Sequence, residues 1–357
     1  MKYKCPNCSN AIELSNGNLV CNNCMKDWIG NSKYPDFFQN DFYWGEIPQK
    51  LMREVCDFAR SNNWKEALEE KVKPNYPKVY EYIINQNRAD WRILLDISDN
   101  SKILDLGAGW GTISSILSNY AGEVYALEGT KERIDFVDIR IKQDRQLNIK
   151  PLRADFKNPP FFDESFDLIV CNGVLEWASI IDFSVNPRQG QINFLKKIYS
   201  LLNAKGTLYI GIENRFAFSS FYGAIDHSGF PYTNLMPRIL ADITMRLNSL
   251  IKGKTKLFFL SRTSGYRTYT YSFRGYQKLL KEAGFKYIKL YFSIPSYNNP
   301  NAIIPIDDVK MYKFYLKHLR NLPSKRLKKI LFQAYNSLIY LGIHKWVENT
   351  FSIVVKK

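Results

Sequence analysis

The stretch ILDLGAGWGT, residues 103–112, decides the fold class of this 357-residue chain. An apolar run typical of a buried strand enters a turn with glycine at every second position, and a helical pattern follows. Because glycine has no Cβ, the backbone of such a turn can adopt positive φ and approach a ligand closely. In open α/β sheets, ligands bind beyond the carboxyl ends of the strands, where this turn lies. The stretch therefore predicts a ligand site at the first strand of an α/β sheet.

Short apolar runs alternate with helical patterns from residue 101 onward, which predicts βαβ units and a doubly wound, largely parallel α/β sheet. Strands are predicted at 102–106, 123–127, 149–153, 166–171, 206–212, 286–292 and 351–355. Residues 41–98 read as a helical connector with helical patterns at 48–61 and 78–97. We expect the core to span 99–292 with an insertion on the acceptor side at 213–271, and residues 293–357 to hold a basic helical insertion and the final strand.

Two nucleotide-type ligands compete for the glycine turn. A dinucleotide site prefers G-x-G-x-x-G, with the pyrophosphate at the helix N-terminus. Here Thr112 occupies the sixth position and Gly111 comes one place early. Asp105, two places before the first glycine, would repel a pyrophosphate but can pair with a cationic amino-acid group.

The pattern formed by Asp105, Gly107, Gly109 and Gly111 resembles motif I of class I S-adenosylmethionine-dependent methyltransferases. This resemblance implies a seven-stranded Rossmann-like sheet and S-adenosylmethionine as cofactor. It implies that the glycine turn, Ala108 included, closes on the cofactor and that Asp105 meets its amino-acid end.

Further motifs in the same order extend the resemblance. Glu128 ends the second predicted strand, where the family keeps an acid for the ribose hydroxyls. Asp155 and Phe156 follow the third strand, where the family places an Asp near the adenine. Asn172 belongs to a stretch that resembles motif IV. These residues are the remaining cofactor candidates.

Candidate acceptor residues follow the fourth and fifth strands. The loop after the fourth strand usually faces the acceptor, which makes Asn172, Glu176 and Trp177 candidates. Residues 213–229, with an ENR…DH.G arrangement, resemble methyltransferases encoded with cell-surface polysaccharide genes. That resemblance implies a small-molecule or saccharide acceptor, with a lipid-linked saccharide as one hypothesis. His227 is the candidate base, against a purely structural loop role.

Glu213 has two interpretations. We predict a catalytic role for it, together with Glu176 and His227. The alternative is an ion pair with Arg215 that braces the loop.

Four cysteines form two C-x-x-C pairs near the start of the chain: Cys5, Cys8, Cys21 and Cys24. Two such pairs suit tetrahedral coordination of zinc by thiolates. About 40 residues cannot bury a large core, so a metal would supply much of the local folding energy. We expect a structural zinc ribbon over residues 1–40.

Charge leaves further alternatives open. Lys and Arg number 50 against 34 Asp and Glu, a net charge of +16 that favours anionic partners. The basic stretch at 310–345 could cover the sheet, contact anionic membrane or track nucleic acid. RNA methylation is therefore one alternative function. The NPPF stretch at 158–161 resembles a signature of base-methylating enzymes, but that signature follows the fourth strand and NPPF precedes it. A non-catalytic, methyltransferase-like binding module is the other.

The start of the sequence lacks the apolar region of a secretory signal, and no run of about 18 apolar residues occurs. We expect a cytoplasmic protein, with peripheral membrane contact as the hypothesis attached to the basic stretch.

Overall fold

The computed structural model describes residues 2–15, 18–28, 34–38, 42–180, 185–251, 265–318 and 342–357. The chain divides into two compact units. The first contains residues 1–172, 196–209 and 356–357, and the second contains residues 173–195 and 210–355.

The first unit begins with four short strands in a separate antiparallel sheet: β1 (Tyr3–Lys4), β2 (Ala11–Ser15), β3 (Asn18–Cys21) and β4 (Lys26–Trp28). One C-x-x-C pair lies between β1 and β2. The other begins at the last residue of β3 and ends before β4. The two hairpins therefore present the two cysteine pairs at their connections.

This small sheet contacts the NPPF segment of the same unit. The Lys4 N–H donates to the Pro160 carbonyl at 2.9 Å, and the Asn158 amide donates to the Pro6 carbonyl at 3.0 Å. The rings of Tyr3 and Phe161 lie 5.9 Å apart. Three residues of the segment thus serve as an attachment point for the N-terminal strands.

The connector contains the helices α1 (Gln49–Ser61), α2 (Trp64–Ala67) and α3 (Pro77–Ile84), and a 3-10 helix follows α3 at Gln86–Leu94. The single helical pattern expected at 78–97 is therefore wrong. Asn85 interrupts it, because its backbone leaves the helical region and its side chain accepts a hydrogen bond from the Asn87 N–H at 2.9 Å. Apolar side chains of the connector pack with Trp110 and Phe136 in one buried cluster.

The sheet of the first unit has the strands β5 (Lys102–Leu106), β6 (Glu123–Glu128), β7 (Ile149–Arg153), β8 (Phe166–Asn172) and the first part of β9 (Leu202–Glu213). Their order is β9-β8-β5-β6-β7, with β5 parallel to β6 and β8 and with β6 parallel to β7. The helices α4 (Thr112–Leu117), α5 (Lys131–Asp144) and α6 (Pro187–Leu201) lie between these strands in sequence. The order changes direction between β5 and β8, which is where open α/β sheets bind ligands.

The second unit continues the sheet pattern with the end of β9, β10 (Tyr287–Ser296), β11 (Asn299–Pro305) and β12 (Thr350–Lys356), in the order β11-β10-β12-β9. Among the described residues, this unit contains one strand beyond the seven predicted for the chain. The additional strand is β11, which pairs antiparallel with β10 from Tyr291↔Pro305 to Ser296↔Asn299. Its Asn- and Pro-rich sequence lacks the pattern of a strand, and pairing along β10 stabilises it as one.

The helices of the second unit are α7 (Arg238–Ile251), α8 (Phe273–Glu282), α9 (Val309–His318) and α10 (His344–Val347). Most of the basic stretch expected at 310–345 lies outside the described residues, as do residues 252–264 of the 213–271 insertion. Among the described residues, no helix is both long enough and apolar enough to cross a membrane.

Candidate functional site

The glycine turn at 107–111 connects β5 to α4 and lies beside the carboxyl end of β6. Gly107, Gly109 and Gly111 have φ of 69°, 58° and 76°, a region that side chains with a Cβ rarely adopt. The N–H groups of Gly107 and Ala108 both donate to the Leu127 carbonyl, at 2.9 and 3.0 Å. The turn therefore has a fixed position beside the last residues of β6.

Glu128, the last residue of β6, is bonded to this turn. Its Oε2 accepts from the Gly109 N–H at 2.9 Å, and its Oε1 accepts from the Thr130 N–H at 2.8 Å. The residue is only 6% exposed. Each carboxylate oxygen can accept a second hydrogen bond, so Glu128 can hold a ligand hydroxyl while the protein fixes its orientation.

Asp105 lies beneath the turn and is buried. Its Oδ2 accepts from the Ser114 hydroxyl of α4 at 2.6 Å. Burial raises the pKa of Asp105 to about 6, although the Ser114 hydrogen bond and the charge of Arg88 oppose that shift. A cationic ligand group near this carboxyl would favour its ionised form.

Two residues of this site, Arg133 and Glu46, were not predicted from the sequence. Arg133 of α5 is bonded to the carboxylate of Glu46, and its Nη1 lies 4.0 Å from Oε2 of Glu128. The Trp110 indole N–H donates to the same Glu46 carboxylate at 3.0 Å. Arg133 therefore places a positive charge beside Glu128. Nothing in the local sequence around Glu46 signals this contact, since it joins residues 87 positions apart.

The remaining cofactor candidates follow the neighbouring strands of the same sheet. Asp155 comes two residues after β7 and is half-buried, with Oδ1 accepting from the Lys157 N–H at 2.9 Å. Phe156 is half-buried beside it, and Asn172 ends β8. Because carboxyl ends of parallel strands share one edge of a sheet, the cofactor candidates lie along the edge formed by β8, β5, β6 and β7.

A second cluster lies in the other unit and contains the three candidate catalytic residues. His227 Nε2 lies 3.5 Å from Oε1 of Glu176 and 3.2 Å from Oε2 of Glu213. Glu176 sits in the 3-10 turn Leu175–Trp177, and Glu213 is the last residue of β9. We call Glu176, Glu213 and His227 the carboxylate–imidazole cluster.

Neighbouring side chains hold this cluster in place. The Tyr297 hydroxyl donates to Oε1 of Glu213 at 2.9 Å, and the Tyr276 hydroxyl donates to the Glu213 carbonyl at 2.9 Å. Asp226, next to His227, accepts from the Ser228 N–H at 2.7 Å and from the Thr233 hydroxyl at 2.6 Å. The loop that carries the imidazole is therefore fixed by its own turn.

Burial and mutual charge set the protonation of the carboxylate–imidazole cluster. Burial and the nearby charge of Glu213 raise the pKa of Glu176 to about 8. Burial alone would lower the pKa of His227, but the Glu213 carboxylate outweighs it and raises that pKa to about 10. With no ligand bound, these shifts favour a protonated His227 and a protonated Glu176 beside an ionised Glu213.

The alternative ion pair between Glu213 and Arg215 is not formed. The Arg215 guanidinium instead donates to the carbonyls of Asn234 and Met236, both at 2.9 Å. Arg215 therefore braces its loop through backbone carbonyls and leaves the Glu213 carboxylate to His227 and Tyr297.

The four N-terminal cysteines converge. Their Sγ atoms all lie within 4.8 Å of one another, with Cys5–Cys24 at 3.7 Å and Cys8–Cys21 at 3.3 Å. Four thiolates about 2.3 Å from one zinc ion would lie about 3.8 Å apart. The donor set and its spacing therefore fit a tetrahedral zinc ion.

The central segment of the chain is similar to known methyltransferases. Residues 104–210 match the family model for a methyltransferase domain. A Probable ribosomal RNA small subunit methyltransferase A of Methanosphaera stadtmanae is 30% identical over 128 residues, which are 35% of this chain and 46% of the relative. A demethylmenaquinone methyltransferase of a Geobacillus species is 22% identical over 155 residues, covering 40% of this chain and 62% of the relative.

Among solved structures, the phosphoethanolamine N-methyltransferase 2 of Haemonchus contortus in complex with S-adenosylmethionine aligns with 13% identity and a TM-score of 0.45. The alignment covers 85% of this chain and 60% of that one. The chain thus spans less than two thirds of each of these three proteins. The match at 104–210 contains the glycine turn and Glu128, and it confirms the expected methyltransferase domain of the α/β class.

Proposed function

We propose that this protein transfers a methyl group from S-adenosylmethionine to a small-molecule or saccharide acceptor. The observation that carries the proposal is the bonded pair of glycine turn and Glu128 carboxylate at the strand-order reversal, inside the segment that matches a methyltransferase domain. When bound, the cofactor supplies an electrophilic methyl group on a sulfonium.

The residues at the sheet edge have distinct roles in this proposal. Glu128 accepts hydrogen bonds from ribose hydroxyls, and the positive φ of the three glycines keeps Cβ atoms away from the ligand. Asp105 pairs with the cationic amino-acid end, Asp155 and Phe156 meet the adenine, and Asn172 borders the site from β8. Arg133 positions the Glu128 carboxylate, which it approaches to 4.0 Å.

The carboxylate–imidazole cluster is proposed to bind and activate the acceptor. Its side chains combine full burial at Glu176 with partial exposure at His227 and Glu213, which are 28% and 32% exposed. An acceptor is proposed to approach the cluster on the side of His227 and Glu213, whose facing atoms Nε2 and Oε2 are themselves buried. These groups can form hydrogen bonds with a hydroxyl or amino group of an acceptor, but not with a purely apolar acceptor.

The test is transfer of a labelled methyl group to fractionated cell extract. We expect labelling of a low-molecular-mass or saccharide fraction by the wild-type chain, and at least tenfold less by Glu128→Gln and by Glu176→Gln. Glu81→Gln, at an exposed helical position, is the matched control and should label as wild type. Failure of the wild-type chain to bind S-adenosylmethionine would instead favour the non-catalytic binding module.

RNA is the alternative acceptor, favoured by the net charge of +16 and by the name of the Methanosphaera relative. Against it, the NPPF segment is engaged by the N-terminal strands. Label in the RNA fraction, with retention of RNA that falls steeply with salt, would support this alternative.

Two further predictions accompany the main proposal. The four-cysteine cluster holds a structural zinc ion, supported by its Sγ spacing. A cytoplasmic location, with peripheral contact of residues 310–345 to anionic membrane, stays a prediction. A flotation assay with anionic vesicles tests the membrane contact. If the contact exists, a charge-reversal variant of 310–345 should float with the vesicles less than the intact chain does.

A further inference from the structure

We infer that Glu176, Glu213 and His227 bind a divalent cation. The three residues come from three separate segments: the turn after β8, the end of β9 and the loop before α7. Each contributes one potential ligand atom, and these atoms all lie within 4.8 Å of one another. Imidazole and carboxylate groups are both common ligands of divalent metals in catalytic sites.

The distances fit a shared ion. Ligand atoms about 2.1 Å from one ion are about 3.0 Å apart in octahedral geometry and about 3.4 Å apart in tetrahedral geometry. His227 Nε2 lies 3.2 Å from Oε2 of Glu213 and 3.5 Å from Oε1 of Glu176. Only small side-chain adjustments are needed to place one ion among the three.

Burial supplies an independent reason. Glu176 is fully buried, and among the described residues its carboxylate oxygens have no hydrogen bond of standard geometry, with only weaker contacts from its own backbone and the Trp177 side chain. Oε2 of Glu213 and Nε2 of His227 lie 3.2 Å apart and interact by charge, but neither has a hydrogen bond of good geometry. Buried polar atoms without hydrogen bonds are costly. A cation among these three residues would coordinate them all and would displace the protons of Glu176 and His227 to solvent.

The surroundings resemble the outer shell of a metal site. The Tyr297 hydroxyl donates to Oε1 of Glu213 and so leaves Oε2 to point at His227. Outer-shell hydrogen bonds of this kind orient ligands and tune metal affinity. The facing atoms of the cluster are buried, whereas the His227 and Glu213 side chains are 28% and 32% exposed, so solvent reaches the margin of the cluster.

The role of the cation, though not its binding, rests on the proposed function. A divalent ion with open positions can coordinate an acceptor hydroxyl and lower its pKa. The hydroxyl proton would then pass to water, and the oxygen would be a stronger nucleophile.

The test is titration of the zinc-replete full chain with Mn²⁺, followed by the electron paramagnetic resonance signal of the free ion. Mn²⁺ is the probe because it prefers carboxylate ligands and competes poorly for thiolates. We expect one bound Mn²⁺ per chain. Glu176→Gln and His227→Asn should each weaken it more than tenfold, and Tyr297→Phe by about tenfold. Glu81→Gln and His318→Ala, both at exposed positions, should bind as wild type.

Thermal unfolding shows whether the buried Glu176→Gln variant is folded, and the more exposed His227→Asn keeps the test valid if it is not. Absence of Mn²⁺ binding at millimolar concentration, or equal binding by wild type and His227→Asn, would overturn the inference. S-adenosylmethionine binding is measured on the same samples. Cofactor binding without Mn²⁺ binding refutes only the cation site, and Mn²⁺ binding without cofactor binding refutes only the proposed function.

Discussion

The substitution Gly109→Ala tests whether the glycine turn binds the cofactor, because its effect on affinity should be larger than its effect on stability. Gly109 has φ of 58°, and a Cβ there would have its nearest neighbours, Nη1 of Arg133 and the Gly107 carbonyl, at an ordinary 3.9 Å. The protein alone therefore has room for the methyl group. The left-handed backbone should lower the free energy of unfolding by about 1 to 2 kcal/mol.

The same methyl group should exclude the cofactor, because the space open to it is the space in which the ligand approaches the turn. If displacement of the ligand breaks about two hydrogen bonds of about 1 kcal/mol each, affinity falls about 30-fold. Titration calorimetry with S-adenosylmethionine measures this loss, and urea unfolding measures the stability.

Gly342→Ala is the matched control. Gly342 has φ of 71°, and a Cβ there would meet nothing within 4 Å. This variant should show a similar loss of stability and bind the cofactor as wild type. A folded Gly109→Ala protein that binds S-adenosylmethionine with unchanged affinity would refute the assignment of the turn.

Three further outcomes are expected. Glu128→Gln should weaken cofactor binding about tenfold or more, because an amide replaces an oxygen acceptor of charge-assisted hydrogen bonds; an unchanged dissociation constant would contradict the ribose role. The raised pKa of Asp105, about 6 against an ordinary 3.8, means that the folded state holds this proton more tightly. The stability of the free protein should therefore fall by about 2.4 kcal/mol from this group as pH rises from about 4 to 7, and Asp105→Asn, compared by urea unfolding across that range, should lack this component. Elemental analysis should find one zinc per chain, and its removal by a chelator should lower the unfolding temperature. Cys56→Ala, outside the cluster, should keep its zinc, and a zinc-free wild-type chain of equal unfolding temperature would refute the structural role.

The parts of the fold that depend on local pattern could be predicted from the sequence. β5 and β7 have the predicted bounds, and β6 and β8 extend by one residue. β5, β6 and β8 are largely apolar runs between turns, as expected of buried parallel strands. Glu128 could be assigned since it ends such a strand at a recognisable distance from the glycine turn.

Features that depend on long-range contacts could not be predicted. β11 exists because β10 offers a partner, and its own sequence does not favour a strand. Glu46 and Arg133 meet across 87 positions, and no periodicity marks either residue as part of a site. The expected helix at 78–97 was wrong because the side chain of Asn85 competes with the helical hydrogen bond.

The sequence predicted the three residues of the candidate acceptor site separately, but it could not predict that they lie close together. Glu176, Glu213 and His227 each follow a different element, and only the fold brings the imidazole within 3.5 Å of both carboxylates. The protonation of these groups depends on burial, which a sequence pattern does not fix.

A crystal structure of the chain soaked with S-adenosylhomocysteine is the most direct measurement of cofactor binding at the glycine turn. We predict that its ribose hydroxyls donate to the Glu128 carboxylate, with the nucleoside seated along the carboxyl ends of β5 and β6. Crystals saturated with the compound that show an ordered glycine turn and no ligand density there would contradict it.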